Sequence, residues 1–238
     1  MPTPLLRRSM HDQRAPIRRL LITAGPTQEP IDRVRYIGNR SSGKLGVALA
    51  AEAAERGLGV ELLLGPVCMG CDDSRVRVSR FRTTAELEAL LRARLPHCDA
   101  LIMAAAVADF RPRAPEPGAQ EVEKLRRSGV GLTLALDPTP DLLAMCAALR
   151  RPDQTLIGFA LEPRAEMLAS AQAKLERKNV DAIVANPLET MDAEEIEAHL
   201  VRRDASTIST PGPIPKARFA AWLLDALAPP GRAPWGPH

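Results

Sequence analysis

Arg35-Tyr36-Ile37-Gly38-Asn39-Arg40-Ser41-Ser42-Gly43-Lys44-Leu45-Gly46 gathers three glycines, an amide, two serine hydroxyls and basic side chains in one run, and leads straight into the alanine-rich pattern Val47 to Arg56. Such a run reads as a loop feeding a helix start. The first N–H groups of a helix have no partner within it and carry the positive end of its dipole, and glycine lets a ligand approach the backbone. Ser41 and Ser42 add hydroxyl donors, and Asn39 offers a donor and an acceptor. The natural guest is a phosphate-bearing ligand.

Two familiar phosphate loops nearly fit. Gly38, Gly43 and Lys44 have Walker A spacing, but Leu45 stands where Ser or Thr would hold magnesium, which excludes that reading. The dinucleotide fingerprint is half present, as Gly43-x-x-Gly46.

Outward from this run, Arg18 to Ala24 (RRLLITA) is a short apolar run ending at Gly25-Pro26, and reads as a buried strand. Downstream, Gly57 sits where a helix C-cap glycine belongs, and Val60 to Gly65 and Val76 to Arg82 read as strands. Thr83-x-x-Glu86 is a capping box for a helix to about Leu95. Asp99 to Ala108 (DALIMAAAVA) is a continuous apolar run, as in a central parallel strand buried on both faces. The alternation implies an α/β fold, a Rossmann-like, doubly wound, mostly parallel sheet in three layers. Ligands in such sheets bind beyond the carboxyl ends of the strands, so the loops after Thr23, Leu64 and Ala108 are expected to share one crevice.

Residues 111–131 hold three prolines, three glycines and the charged group Glu121 to Arg127, and read as a long flap. Strands are expected at Leu132 to Leu136, Thr155 to Ala160 and Asp181 to Ala185, with helices at Asp141 to Leu149, Arg164 to Arg177 and Lys216 to Leu227. His199 to Arg203 with Ser206 to Ser209 forms a hairpin. The expected organisation is a disordered leader over 1–17, one Rossmann-like domain over 18–227 with its flap at 111–131, and a disordered tail over 228–238.

The 238 residues carry 32 Lys plus Arg against 29 acids, a formal charge of +3 with the basic residues scattered, which excludes a nucleic-acid or membrane-surface footprint. No apolar run approaches the ~20 residues that span a bilayer, and the N-terminus lacks a signal-peptide pattern, so a cytoplasmic protein is expected. Four cysteines at 68, 71, 98 and 146 are too few for a disulfide scaffold. Cys68-x-x-Cys71 lacks the second pair that a zinc site needs, and the four histidines fall in no metal-ligand spacing. There is no G-x-S-x-G elbow.

The blocks ITAGPTQEPIDRVRYIGNRSSGKLG, AAAVADF, EKLRRSG, DPTPDLL, IGFALE and KLERKN-DAIVAN occur in the order and at about the spacing of phosphopantothenoylcysteine synthetases. The resemblance, over about Arg18 to Asn186, is to the ligase half of the coenzyme A biosynthesis flavoproteins, here read as stand-alone. It implies a ligase that joins 4′-phosphopantothenate to L-cysteine through an acyl-nucleotide, using CTP (or ATP) and Mg2+, as a homodimer. Carried over by motif, Asn39 would hold the acyl-nucleotide and Arg35 would contact the phosphopantothenate side, across a dimer interface. Ser42, Gly43 and Gly46 would surround phosphate. Met103, Ala104, Ala105, Ala106 and Asp109 would give nucleotide and substrate contacts. Lys124 on the flap would neutralise the triphosphate. Pro140, Asp141, Leu142, Leu143, Phe159, Lys174 and Lys178 would complete the nucleotide site.

Two stretches depart from the family pattern: GFALEP with Leu161 and Pro163, and LETMDAEEIEAHL after Ala185-Asn186. In the family the second segment supports the dimer or the nucleotide neighbourhood, so its change is expected to bear on the oligomer and on base selectivity and to leave the acyl-transfer site untouched. The rival readings are a nicotinamide-dependent oxidoreductase and an inactive nucleotide-binding module. No acid closes VELLLG to bind a ribose, and the only tyrosine, Tyr36, has Arg40 rather than Lys four residues on, against the first; Asn39, Asp109 and Lys124 together argue against the second.

Overall fold

The structure is a computed structural model and describes residues 16–113, 129, 131–191 and 193–227. The expected leader (but for its last two residues), most of the flap including Lys124, and the tail lie outside the described residues.

In chain order the strands are β1 (Arg19–Ala24), β2 (Gln28–Pro30), β3 (Tyr36–Gly38), β4 (Gly59–Leu64), β5 (Val76–Arg80), β6 (Ala100–Met103), β7 (Phe110–Pro112), β8 (Leu136–Pro138), β9 (Thr155–Glu162), β10 (Ala182–Pro187), β11 (Glu195–Ile196), β12 (His199–Arg202), β13 (Thr207–Ser209) and β14 (Ile214–Pro215). The helices are α1 (Lys44–Glu55), α2 (Thr84–Arg94), α3 (Leu142–Leu149), α4 (Met167–Lys178) and α5 (Lys216–Leu227). One eight-stranded sheet runs β13-β12-β10-β9-β6-β1-β4-β5. The six strands from β10 to β5 are parallel, and β12 and β13 extend the sheet antiparallel.

Taken by order in the chain, the six parallel strands give the doubly wound arrangement that reverses between β1 and β6. Alternation along each strand supplies two cores. Leu20, Ile22 and Ala24 face one side with α1 and α5, where Leu49, Ala53, Phe219 and Leu223 are buried. Leu21 and Leu101 face the other with α2, α3 and α4, where Leu87, Leu91, Cys146 and Leu175 are buried.

Local signals fix the ends of these elements. At the end of α1, Gly57 takes φ +81; its N–H bonds Ala54 O at 3.0 Å while Leu58 N bonds Ala53 O at 3.1 Å, a Schellman stop. Thr83 caps α2, accepting from Glu86 N at 3.2 Å, while the Glu86 carboxylate reaches back to Arg82 N at 2.6 Å. Asp141 caps α3, accepting from Ala144 N at 3.1 Å.

Three expectations are corrected. The central strand stops at Met103, and Ala104 to Ala108 turn their N–H and C=O groups toward the end of β1 and the loop after it: Ala104 N bonds Thr23 O at 3.1 Å and Ala106 N bonds Gly25 O at 2.9 Å. The alternating stretch Leu132 to Leu136 is exposed but for the half-buried Leu134 and is strand-like only from Leu136, where β8 pairs with β7 as a separate antiparallel ribbon. The helix expected from Arg164 begins at Met167, after a turn closed by Glu166 N to Pro163 O at 3.0 Å. A second small ribbon, β2 with β3, carries the first half of the opening stretch.

Candidate functional site

A crevice of about 720 Å³ opens where the strand order reverses, in the volume range of small-molecule sites. Its walls come from residues 38–46, 103–109 and 139–143, from Phe159 and Leu161 at the end of β9, from Lys174 and Lys178 on α4, and from Asn186, Thr190, Met191, Ile196 and Lys216.

The stretch 38–46 forms its floor through two glycines. Gly43 takes φ +74 in the left-handed region and serves as the N-cap of α1 without a side-chain acceptor for the first N–H groups. A Cβ on Gly46 would lie 2.3 Å from Ala24 Cβ, so its absence lets α1 lie against the end of β1. The starts of α2 and α3 are closed by Thr83 and Asp141; the start of α1 is not, and Gly43 to Gly46 border the crevice. Unpartnered N–H groups at such a start favour an anion.

The opposite lip is the loop 104–108, held by a set of bonds to the end of β1 and the loop after it. Ala105 N bonds Thr23 Oγ1 at 3.1 Å, Ala108 N bonds Thr27 Oγ1 at 2.9 Å, and Thr27 N bonds Ala106 O at 3.1 Å. Asn39, directly after β3, donates from Nδ2 to Val107 O at 2.9 Å. That contact uses one amide hydrogen and leaves its Oδ1 and second hydrogen for a ligand. Thr139 donates from its hydroxyl to Ala108 O at 2.5 Å, which ties the 139–143 wall to the same loop.

The lining is cationic: Arg40, Lys44, Lys174, Lys178 and Lys216 stand against the carboxylates of Asp109 and Asp141. Each of the four lysines is held. Lys178 Nζ lies 3.0 Å from Asp141 Oδ2, and Lys174 Nζ 2.5 Å from Glu162 Oε1. Lys44 pairs with Glu194, and Lys216 Nζ donates to Ala193 O. These contacts move the acids. Burial pushes the Asp141 carboxyl up, but the Ala144 N–H and Lys178 outweigh it and leave it below its ordinary value. The Lys174 hydrogen bond lowers Glu162, and the Lys44 hydrogen bond lowers Glu194.

Of the residues singled out from sequence, Asn39, Ser42, Gly43, Gly46, Met103, Ala104, Ala105, Ala106, Asp109, Pro140, Asp141, Leu142, Leu143, Phe159, Lys174 and Lys178 all border the crevice. Arg35 does not: it stands at the tip of the β2–β3 ribbon, its guanidinium 3.5 Å from Asp32. The loop after Leu64 is not among the lining residues either. It lies behind the floor, where Gly65 N bonds Ala24 O at 2.9 Å and Val67 packs under Gly43. The segment after Asn186, which the resemblance ties to the dimer or the nucleotide neighbourhood, brings Thr190, Met191 and Ile196 to the lining. The chain turns back there, with Thr190 Oγ1 accepting from Asn186 Nδ2 at 2.7 Å. Arg40 and Lys44 lie inside the opening run, where the position of Lys44 as first residue of a helix was the available signal; Lys216 had none.

Residues 16–229 match the family described as DNA/pantothenate metabolism flavoprotein, C-terminal domain. The chain belongs to that family. It is 42% identical over 171 residues to a cysteine/cysteine sulfinic acid decarboxylase of an unknown prokaryotic organism, covering 72% of this chain and 46% of that protein. It is 38% identical over 193 residues to the coenzyme A biosynthesis bifunctional protein CoaBC of Escherichia coli K12, covering 79% of this chain and 47% of that protein. The chain thus spans about half the length of these curated relatives. Among solved structures, it resembles the C-terminal domain of a coenzyme A biosynthesis bifunctional protein CoaBC with a TM-score of 0.73 at 30% identity, covering 88% of this chain and 93% of that one. That likeness extends over the mainly parallel sheet with its flanking helices.

Proposed function

We propose that this member of the pantothenate-flavoprotein C-terminal family is a phosphopantothenate–cysteine ligase of coenzyme A biosynthesis. The observation that carries the reading is the crevice itself: an uncapped helix start and five cationic side chains against two carboxylates, facing a loop held to the Asn39 amide. Such a cradle suits two phosphorylated substrates at once.

In the proposed reaction a carboxylate oxygen of 4′-phosphopantothenate attacks the α-phosphate of CTP, and the bond to the departing pyrophosphate breaks. The amine of L-cysteine then attacks the acyl carbon, the C–N bond forms, a proton leaves the nitrogen and CMP departs. Holding the reactants in line and offsetting the charge that moves onto phosphate oxygens supply the acceleration. Asn39, anchored on Val107 O, presents its remaining amide groups to the acyl-cytidylate. Ser42, Gly43 and Lys44 border the phosphates at the start of α1. Lys174 and Lys178 exchange their carboxylate partners for phosphate oxygens, and Lys124 adds a charge from the flap. Met103 to Ala106, Asp109, Pro140 to Leu143 and Phe159 enclose the nucleotide and the acyl chain.

Among the described residues no group of three His, Cys, Asp or Glu side chains can hold a metal. In the proposal magnesium would enter with the triphosphate and would offset its charge. A homodimer would use the exposed apolar residues Val34, Tyr36 and Phe110 of the two adjoining ribbons, β2–β3 and β7–β8, and would bring Arg35 to the partner's crevice. Four free thiols suit a reducing cytoplasm, and no helix among the described residues is long and apolar enough to cross a membrane. Asn39→Ala tests the reading: product formation should collapse while CTP binding measured by calorimetry persists. Full turnover in that variant would overturn the role of Asn39.

A further inference from the structure

Glu29 is buried, 4% exposed, in the middle of β2, and no cation among the described residues is paired with it. Its Oε1 accepts twice from Thr84, the first residue of α2: from the backbone N–H at 2.8 Å and from the hydroxyl at 2.7 Å. A carboxylate accepts, so the Thr84 hydrogen goes to Glu29, and the Thr84 oxygen is left facing Thr27 Oγ1 at 3.4 Å to take the Thr27 hydrogen. Thr27 Oγ1 in turn accepts from Ala108 N at 2.9 Å. The result is a one-way chain from Ala108 N–H through Thr27 and Thr84 to Glu29. Thr27 and Thr84 are themselves buried, 0% and 1% exposed.

This chain reaches both sides of the Asn39 contact. Glu29 pairs with Ile37 across the ribbon, and β3 ends one residue before Asn39. Thr27 holds Ala106 and Ala108, the neighbours of Val107, whose carbonyl accepts the Asn39 amide. We propose that Glu29 is a positioning residue, which through Thr84 and Thr27 clamps the Asn39 ribbon and the 106–108 loop to the start of α2 and so fixes the Asn39 amide against Val107. The inference rests on the ligase reading for its consequence in turnover, but its geometry stands apart from it.

Two measurements on the full chain test it. Without the Glu29 acceptor, a bond to a carboxylate is lost inside the clamp, worth at least about tenfold in local opening. In Glu29→Ala, amide hydrogen exchange in peptides covering 36–39 and 104–109 should therefore quicken by roughly tenfold while β9 and β10 keep their protection. Under ligase conditions its kcat should fall roughly ten- to a hundredfold, as for a misplaced catalytic group, with the KM for CTP little changed. Glu29→Gln, whose carbonyl oxygen can accept both Thr84 bonds, should recover most of the loss, and Thr84→Val should repeat it. Unchanged exchange at 36–39 and 104–109, or protection lost evenly over the whole sheet, would overturn the clamp. Absence of turnover in the unmutated protein would instead count against the ligase reading, leaving the exchange result to decide the clamp.

Discussion

Adding one methyl group at Gly46 tests how the floor of the crevice is held. A Cβ there would sit 2.3 Å from Ala24 Cβ and 3.2 Å from Ala24 Cα, whereas carbon atoms rest about 3.5–4.0 Å apart. The obstacle belongs to a buried strand and has no flexible end to swing aside, so α1 must retreat by about 1 Å. Overpacking of this kind costs about 1–3 kcal/mol, and alanine's better helix propensity returns about 1 kcal/mol. The net loss of up to roughly 2 kcal/mol corresponds, for a chain of this length, to a Tm lower by up to about 8 °C. Retreat of α1 also carries Gly43 and Lys44 away from the opposite wall, and displacement on that scale lowers catalysis by up to about a hundredfold. Gly46→Ala should thus show a reduced Tm by scanning calorimetry and, in steady-state ligation, a kcat/KM for CTP reduced by roughly ten- to a hundredfold. A variant as stable and as active as the parent would refute the close α1–β1 contact and the place given to the start of α1.

At the far wall, Asp141→Ala removes the α3 cap and the partner of Lys178, and should lower stability in urea by about 1 kcal/mol, with Asp141→Asn, itself a good cap, recovering most of it; equal stability of the alanine variant would contradict the capping assignment. Burial pushes the thiols of Cys98 and Cys146 up to about 11 and about 12, whereas Cys68 is exposed and Cys71 half-buried, so alkylation of the native protein at pH 8 should label Cys68 and Cys71 alone. Comparable labelling of all four would contradict the buried placement. The Arg75 side-chain hydrogen bond, helped by the Arg75 N–H, holds the half-buried Asp73 carboxyl at about 2, below the ~3.9 of an unfolded chain. A depressed carboxylate stabilises fully above its unfolded value and loses that contribution as pH falls through its folded one, so an NMR titration should show Asp73 still ionised near pH 3; a midpoint near its ordinary value would show that the Asp73–Arg75 pair does not persist.

Where a local chemical rule decides a boundary, the sequence was readable to the residue. Gly57 ends α1, Thr83 and Glu86 open α2, Asp141 opens α3, and the last helix begins at Lys216 and ends at Leu227 as expected. Long-range bonds were less readable. DALIMAAAVA carries no mark at Ala104 to show that its backbone leaves the sheet, because alanine suits a buried strand and a tight loop alike; the partners, Thr23, Gly25 and Thr27, lie some eighty residues away. The three-residue strands of the β2–β3 ribbon are too short for periodicity to register. For the site, the motif-bearing residues were recoverable, and the crevice gathers those within its reach. Thr190, Met191 and Ile196 were not singled out one by one, because a return of the chain after β10 rather than any motif brings them to the crevice, and Lys216 reaches it from the start of α5.

The central claim is tested most directly by pyrophosphate release from the purified protein with 4′-phosphopantothenate and magnesium, with CTP and ATP in separate reactions, each with and without L-cysteine. Release that depends on the nucleotide and becomes catalytic when cysteine is added, strongest with CTP, is the predicted result. No release with either nucleotide would contradict the ligase assignment.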